Sequence, residues 1–289
     1  MKPKDYKHVV IMMLFFSTGA FTLAAENVPD EKVTYKTVGD VSLQLHIFKP
    51  ENHRATEKRP CIVFFFGGGW VGGTPLQFYP HCRYLSSRGM VAISAEYRVK
   101  NQHGTTPYEC VKDGKSAIRW VRLHAEELGI DPRRLAAGGG SAGGHVAAAT
   151  GSVKTFEEPG EDTAISSKPN ALVLFNPVYD NGPEGYGHDR VKEHWRAFSP
   201  MHNIDEDTPP TIVFLGTKDK LIPVSTAEKY KDLMAKSRRR CDLHLYEGQP
   251  HGFFNYRDGK NTYYDQTVIE ADKFLASLGY LQGEPTLKN

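Results

Sequence analysis

This sequence of 289 residues has almost no excess of charge of either sign: 36 lysines and arginines face 34 aspartates and glutamates, for a formal net charge of +2. Such a balance gives no global attraction for nucleic acid or for an anionic membrane. The chain also lacks internal repeats and low-complexity tracts, so a repeat array or a biased linker is excluded. What remains is a composition with 39% hydrophobic residues, in a length common for one α/β enzyme domain.

The N-terminus carries a short hydrophobic stretch behind basic residues. Three lysines stand among the first seven residues, an apolar core covers 9–16, and Ala24 and Ala25 precede Glu26. This order predicts a cleavable secretory signal over residues 1–25, cut near Ala25, and a secreted or periplasmic protein without a stable membrane anchor. An uncleaved transmembrane anchor is the alternative, although the stretch is short and interrupted by polar residues. No cysteine lies near the cut, which argues against a lipoprotein.

The remaining residues, 26–289, read as one catalytic domain of alternating strands and helices. That alternation predicts an α/β fold, in which a mostly parallel eight-stranded sheet is covered by helices on both faces. The strands are predicted over 32–38, 41–49, 59–66, 90–98, 133–138, 170–178, 210–216 and 241–247. The helices are predicted over 76–88, 107–128, 142–151, 224–238 and 261–279.

Residues 138–143 read Gly-Gly-Gly-Ser-Ala-Gly, between a short apolar run and an alanine-rich stretch. The pattern around Ser141 is typical of a nucleophile elbow, where small neighbours allow a sharp turn from strand to helix. The same six residues also fit a dinucleotide-binding glycine pattern. However, they follow about the fifth strand rather than the first, and no acidic residue ends a strand about 20 residues further on. Context therefore favours Ser141 as a nucleophile.

A serine nucleophile needs backbone donors for the developing oxyanion. A glycine cluster follows the buried run that begins at residue 62, and glycines let N–H groups approach a substrate oxygen closely. We expect Gly68 and Gly69 to donate from this cluster, together with the N–H of Ala142 directly after the serine. A glycine turn with no chemical role is the alternative.

The nucleophile also needs a base and an acid that orients it. Asp219 follows a buried strand at once, where parallel sheets gather their ligands, and it is preferred over other acidic residues for that reason. His251 lies in a loop after an alternating strand. The chain order of Ser141, Asp219 and His251 is that of an α/β-hydrolase triad.

Five motifs together make the chain resemble the α/β-hydrolase superfamily, in its hormone-sensitive-lipase-like and acetyl esterase group, especially secreted bacterial esterases. The motifs begin at Gly67, Glu96, Gly140, Gly216 and Pro250, and read GGGW, EYR, GSAGGH, GTKD and PHGF. The sequence departs from the commonest pattern twice. Phe66 stands where many members have histidine, which removes a polar side chain that would fix the glycine cluster, and Gly140 stands where many have an acid.

The resemblance implies a serine carboxylesterase that acts on short acyl esters, acetyl above all, with carbohydrate esters as a further substrate class. The triad chemistry requires no metal and no organic cofactor. Trp70 and Phe253 are expected to border the substrate pocket, and the irregular segment 179–209 to wall it. A surface excursion without contact to substrate is the alternative for this segment. A non-catalytic ligand-binding protein on the same fold, or a serine peptidase, is the alternative, and the oligomeric state is left open.

Four cysteines, Cys61, Cys82, Cys110 and Cys241, would enter an oxidising compartment in an exported chain. Cys82 and Cys110 fall in two predicted helices that we expect to adjoin on one face of the sheet, so a disulfide between them is predicted. Cys61 is expected to be a small core residue. Four free thiols are the alternative.

Overall fold

A computed structural model of the chain describes residues 28–257 and 259–287. The predicted signal at 1–25 lies outside the described residues. No helix within the described ranges is both long enough and apolar enough to cross a membrane.

Eight strands form one sheet, in the order β1-β2-β4-β3-β5-β6-β7-β8. The β1–β2 and β2–β4 pairs are antiparallel, and all the others are parallel. The prediction of a mostly parallel eight-stranded sheet is therefore confirmed. The strands are β1 Glu31–Val38, β2 Val41–Phe48, β3 Arg59–Phe65, β4 Val91–Ala95, β5 Ile130–Gly140, β6 Ala171–Phe175, β7 Thr211–Gly216 and β8 Cys241–Tyr246.

Helices cover both faces of this sheet, as predicted. The longest, α3, begins with a capping box between Thr106 and Glu109 and has Pro107 in its first turn, which are both strong start signals. One apolar core packs α3, α4 and α6 against one face, and a second packs α1 and α7 against the other. The helices are α1 Tyr79–Ser87, α2 Lys100–His103, α3 Pro107–Leu123, α4 Ala142–Ser152, α5 Trp195–Phe198, α6 Val224–Lys236 and α7 Thr262–Ser277.

The predicted disulfide between Cys82 and Cys110 is wrong. All four cysteines are free, with Cys82 in the core under α1 and Cys110 in the core under α3, on opposite faces of the sheet. The strand order explains this: the chain moves from β3 outward to β4 and then back across β3 to β5. Because parallel crossovers are right-handed, a reversal of direction moves the next helix to the other face. Cys61 is fully buried in β3, as expected for a core residue.

The parallel strands all end at one edge of the sheet. The loops after β3, β5, β6, β7 and β8 meet there, and they carry every residue of the site predicted from the sequence. Because the parallel strands are buried on both faces, polar side chains can gather only at their ends, and in this kind of sheet they gather at the carboxyl ends.

Candidate active site

Ser141 stands in a turn between β5 and α4, which we call the serine turn (residues 138–143). Its backbone lies at φ 54° and ψ −120°, in a region that non-glycine residues rarely occupy. The glycines around it are required by space: a Cβ on Gly139 would lie 2.4 Å from the carbonyl oxygen of Gly143, and a Cβ on Gly143 would lie 2.1 Å from that of Phe65. A strained serine held by close packing is typical of a functional position.

The side chains of Ser141, His251 and Asp219 form one hydrogen-bonded chain. His251 Nε2 lies 2.9 Å from Ser141 Oγ, and His251 Nδ1 lies 2.7 Å from Asp219 Oδ2. The Asp219 side chain is fully buried. Its other oxygen accepts N–H bonds from Leu221 at 2.8 Å and Ile222 at 3.0 Å, which hold the carboxylate in place. The geometry allows proton transfer between serine and imidazole, with the carboxylate orienting the ring.

Asn176, which the sequence reasoning missed, holds the loop that carries the histidine. We call that loop, residues 247–254, the histidine loop. Asn176 Oδ1 accepts the N–H of Gly252 at 2.9 Å, and Asn176 Nδ2 lies 3.4 Å from His251 Nε2. Asn176 directly follows the buried strand β6 at the sheet edge where the other site residues gather, a position that could have identified it.

The segment that carries Gly68 and Gly69 packs against the serine. A Cβ on Gly67 would lie 3.3 Å from that of Ser141, so the segment 67–73, the glycine loop, packs against the nucleophile. The N–H groups of Gly68 and Gly69 donate to no other group in the described ranges. Ala142 opens α4, where first-turn N–H groups have no partner within the helix. The three residues predicted to bind the oxyanion therefore have N–H groups without a partner in the described ranges, and they lie in segments that adjoin Ser141.

Phe66 does not leave the glycine loop loose, as its departure from the family pattern suggested it would. Its ring stacks on Tyr97 at 4.1 Å between centroids, and Tyr97 Oη donates to the carbonyl oxygen of Phe66 at 2.6 Å. The next N–H, that of Gly67, donates to Gln77 Oε1 at 2.6 Å. Stacking and two short hydrogen bonds therefore fix the start of the loop.

A chain of amide side chains joins the glycine loop to the histidine loop. Gln77 accepts from Gly67 N, and its own Nε2 donates to Asn255 Oδ1 at 2.8 Å. Asn255 Nδ2 then donates to the carbonyl oxygen of Gly252 at 2.8 Å, next to His251. Gln77 and Asn255 carry no sequence signal of this role, because the two residues are 178 positions apart.

The other departure, Gly140, has a steric reason. A Cβ at this position would lie 2.5 Å from Cζ of Phe254, so the phenyl ring occupies the space that an acidic side chain would need. Phe254 is 1% exposed and packs at 4.7 Å on Phe175. Gly140 and Phe254 are thus a matched pair, one of which lies in the serine turn and the other in the histidine loop.

The two predicted pocket residues are both buried, and each borders a cavity whose lining does not include Ser141, Asp219 or His251. Trp70, 1% exposed, packs on His145 and borders a cavity of about 270 Å³ next to Gly69. Phe253, 6% exposed, packs on Tyr246 and borders a cavity of about 370 Å³. Their contact with substrate stays a prediction.

The segment 179–209, which we call the insertion, lies against the glycine loop. Tyr186 and Phe198 pack on the Trp70 ring at 5.8 and 5.9 Å, and Arg190 Nη1 donates to the carbonyl oxygen of Gly69 at 2.6 Å. Within the described residues no group of three or more histidine, cysteine, aspartate or glutamate side chains is arranged to hold a metal ion.

Two family models match consecutive parts of the chain: the BD-FAE model over residues 45–180 and the dienelactone hydrolase family model over residues 184–277. Both parts contribute to the site, since Ser141 lies in the first and Asp219 and His251 in the second.

Solved structures of esterase 2 from Thermogutta terrifontis are similar to the whole described fold. The form phosphoramylated by tabun is 47% identical, covers 88% of this chain and 96% of that chain, and has a TM-score of 0.85. The propionate-bound form is 46% identical with the same coverage and a TM-score of 0.84.

Curated relatives are more distant and longer. Esterase LipC of Mycobacterium tuberculosis is 30% identical over 251 residues, 78% of this chain and 60% of that protein. The acetylxylan esterase of Xylanibacter ruminicola is 26% identical over 286 residues, 91% of this chain and 54% of that protein. The chain thus spans between half and two thirds of the length of these relatives.

Proposed function

The chain belongs to the α/β-hydrolase family of esterases, and from that premise we propose that it is a serine carboxylesterase whose nucleophile is Ser141. The observation that carries the proposal is the hydrogen-bonded chain from Ser141 through His251 to the buried Asp219. The serine of this chain lies in a strained turn supported by glycines and packs against the glycine loop, in which the N–H groups of Gly68 and Gly69 are unpaired within the described ranges.

The proposed reaction has two symmetrical halves. His251 Nε2 takes the proton of Ser141 Oγ as the oxygen attacks the ester carbonyl, and Asp219 stabilises the imidazolium through Nδ1–H. The N–H groups of Gly68, Gly69 and Ala142 bind the negative oxygen of the tetrahedral intermediate. His251 then returns the proton to the leaving alcohol, and an acyl-enzyme remains. Water, deprotonated by the same histidine, releases the acid and restores Ser141.

We further propose that the acyl group is short, acetyl above all, and that the alcohol side can be a carbohydrate. The support is the resemblance to esterases, including a relative named acetylxylan esterase, and a similar structure that has propionate bound. Trp70 and Phe253 are the aromatic side chains proposed to border the substrate.

Turnover of nitrophenyl acetate tests the reaction. Ser141→Ala should lose roughly four to six orders of magnitude in kcat with the fold intact, because the triad acts as a unit. Ser87→Ala, at an exposed serine that ends α1, is the matched control and should keep full activity. Residual turnover by Ser141→Ala at a tenth of the wild-type rate would refute the nucleophile. A wild type that binds esters without turnover would indicate a binding protein instead.

A series of nitrophenyl esters of increasing acyl length tests the substrate proposal. We expect kcat/KM to be highest for acetyl and to fall with length, and a preference for chains of about eight carbons or more would contradict it. Acetylated xylan and acetylated monosaccharides, compared at equal acetyl concentration, test the carbohydrate part.

We also propose that residues 1–25 are removed during export. N-terminal sequencing of protein recovered outside the cytoplasm should begin near Glu26.

A further inference from the structure

The peptide between Gly69 and Trp70 has an unusual backbone. Gly69 lies at φ 62° and Trp70 at φ 60°, so two consecutive residues are left-handed and one of them is not glycine. A bulky residue keeps such a conformation only when its surroundings hold it. The indole is held by burial, but the peptide itself needs its own hydrogen bonds.

Most of the glycine loop is held by the sheet edge and the chain that follows it. These contacts come from residues that belong to the central fold and not to the insertion. They are Tyr97 Oη to Phe66 O at 2.6 Å, Lys100 N to Trp70 O at 3.1 Å and Asn101 N to Val71 O at 2.9 Å.

The carbonyl of Gly69 is held differently. It accepts from Arg190 Nη1 at 2.6 Å, and Arg190 comes from the insertion, 121 positions away. The guanidinium also lies over two rings of the same site, 5.7 Å from the Trp70 centroid and 5.4 Å from that of Tyr186. None of the ion pairs among the described residues involves Arg190, so its contacts are directed at the glycine loop.

We propose that Arg190 is a positioning residue for the oxyanion site: its bond to the carbonyl oxygen of Gly69 holds the Gly69–Trp70 peptide and restrains Gly69 itself, which limits movement of the adjoining Gly68–Gly69 peptide that carries the N–H of Gly69. The proposal rests on the esterase function proposed above. Rotation of the Gly69–Trp70 peptide would relieve the positive φ of Trp70, and the hydrogen bond from Arg190 opposes that rotation. Arg190 is exposed, and its guanidinium is a charged donor that also lies over two rings, contacts that restrain its plane.

Tyr186, also from the insertion, lies next to Gly69. Its hydroxyl lies 3.0 Å from where a Cβ on Gly69 would stand, and Arg190 Nη1 lies 3.7 Å from that point. The insertion therefore covers Gly69 on the side where a Cβ would stand. In this arrangement the insertion contributes to catalysis through the position of a backbone donor, without contacting the reacting atoms.

Arg190→Met removes the guanidinium and keeps a long apolar side chain. We expect kcat for nitrophenyl acetate to fall about tenfold with KM nearly unchanged, less than the ~10²- to 10³-fold loss for complete removal of an oxyanion donor. Arg196→Met is the matched control, because Arg196 lies in the same insertion and stacks at 4.9 Å on Trp195, away from the glycine loop. The control should retain wild-type kcat.

Two further measurements separate positioning from a merely structural role. A trifluoromethyl ketone, which forms a tetrahedral adduct on the serine, should bind Arg190→Met about tenfold more weakly, in parallel with kcat. In Arg190→Ala, added guanidinium at low millimolar concentration should restore part of kcat, whereas the same concentration of sodium chloride should not.

Three results would overturn the proposal: kcat and ketone affinity of Arg190→Met within twofold of wild type, a loss confined to KM, or a loss shared equally by Arg196→Met. Failure of the underlying function is distinguishable, because it would appear as an inactive wild type or an active Ser141→Ala before any arginine variant is compared.

Discussion

The serine turn and the histidine loop meet at one site but are held in opposite ways. The serine turn is held by close packing of backbone on backbone, which requires glycine at 139 and 143 because a Cβ at either position would overlap backbone atoms. The histidine loop is held by amide side chains, with Asn176 and Asn255 bonded to Gly252. Packing of small residues is a property of a local sequence, whereas amide contacts depend on where distant segments meet.

Gly143→Ala should disrupt the close backbone packing of the serine turn and have the largest effect of the changes considered. The new Cβ would lie 2.1 Å from Phe65 O and 2.2 Å from Phe66 O, and neither backbone atom can move without shifting β3. We expect a loss of about 3 kcal/mol in the free energy of unfolding and loss of esterase activity. Urea unfolding and nitrophenyl acetate turnover measure both. Gly72→Ala, where a Cβ would meet nothing within 4 Å, is the control and should be nearly neutral.

Gly140→Ala tests the point where the two regions touch. The added methyl meets the side chain of Phe254 at 2.5 Å and not the backbone, so the cost should be smaller, about 2 kcal/mol. Phe254→Leu in the same chain should recover at least ~1 kcal/mol of that loss, which a double-mutant cycle on urea unfolding measures. Purely additive losses would show that the two residues do not share this space.

Each region also has a buried neutral histidine nearby, which gives the fold a response to acid. His145 lies in α4 just after the serine turn and packs on Trp70, and His81 packs on Phe254 of the histidine loop. Burial lowers the pKa of each histidine to about 3. In the unfolded chain these rings bind protons below about pH 6.5, whereas in the folded chain they do not until near pH 3. Stability is therefore full above pH 6.5 and falls as the pH drops through that value.

His81→Leu isolates one of these two contributions. From the two pKa values, His81 should account for about 2 kcal/mol of the stability lost between pH 7.5 and pH 5. The variant cannot take up the proton, so its free energy of unfolding should fall by that much less over the same interval. Urea titrations at the two pH values decide it, and an identical pH dependence in variant and wild type would contradict the assignment.

Asn176→Ala should produce the smallest effect, on rate and not on folding. Loss of the bond to Gly252 N loosens His251, and we expect kcat to fall about tenfold with little change in the melting temperature. Asn176→Asp keeps an acceptor for the N–H of Gly252 and should therefore retain more of kcat than Asn176→Ala. Unchanged kcat in Asn176→Ala would show that Asn176 has no positioning role.

The sequence predicted the strands and helices closely because most strands are buried on both faces and separated by clear turn signals. The deviations have local causes. β4 ends at Ala95, three residues earlier than predicted, because Glu96, Tyr97 and Arg98 turn away to make side-chain contacts. β5 continues to Gly140, beyond the predicted end, because the glycines remain in the sheet up to the serine turn.

At the site, the residues with local motifs were predictable and those without were not. Ser141, Asp219 and His251 each follow a strand in a recognisable context, and the structure brings the three together. Gln77 and Asn255 belong to no motif, and only the folded chain shows that they meet, whereas Asn176 could have been found from its place directly after β6. The prediction of a disulfide was wrong for a related reason: the positions of helices along the chain do not tell which face of the sheet each helix covers.

The chain reverses its direction across the sheet after β4, and this reversal separates two cysteines that could otherwise have formed a disulfide. With Cys82 and Cys110 on opposite faces, and burial raising the pKa of both thiols, neither reaches a partner or the thiolate form that oxidants attack. Cys61 is equally buried, and burial raises the pKa of Cys241 to about 12. The fold of the described residues therefore contains no disulfide, and none of its packing depends on one.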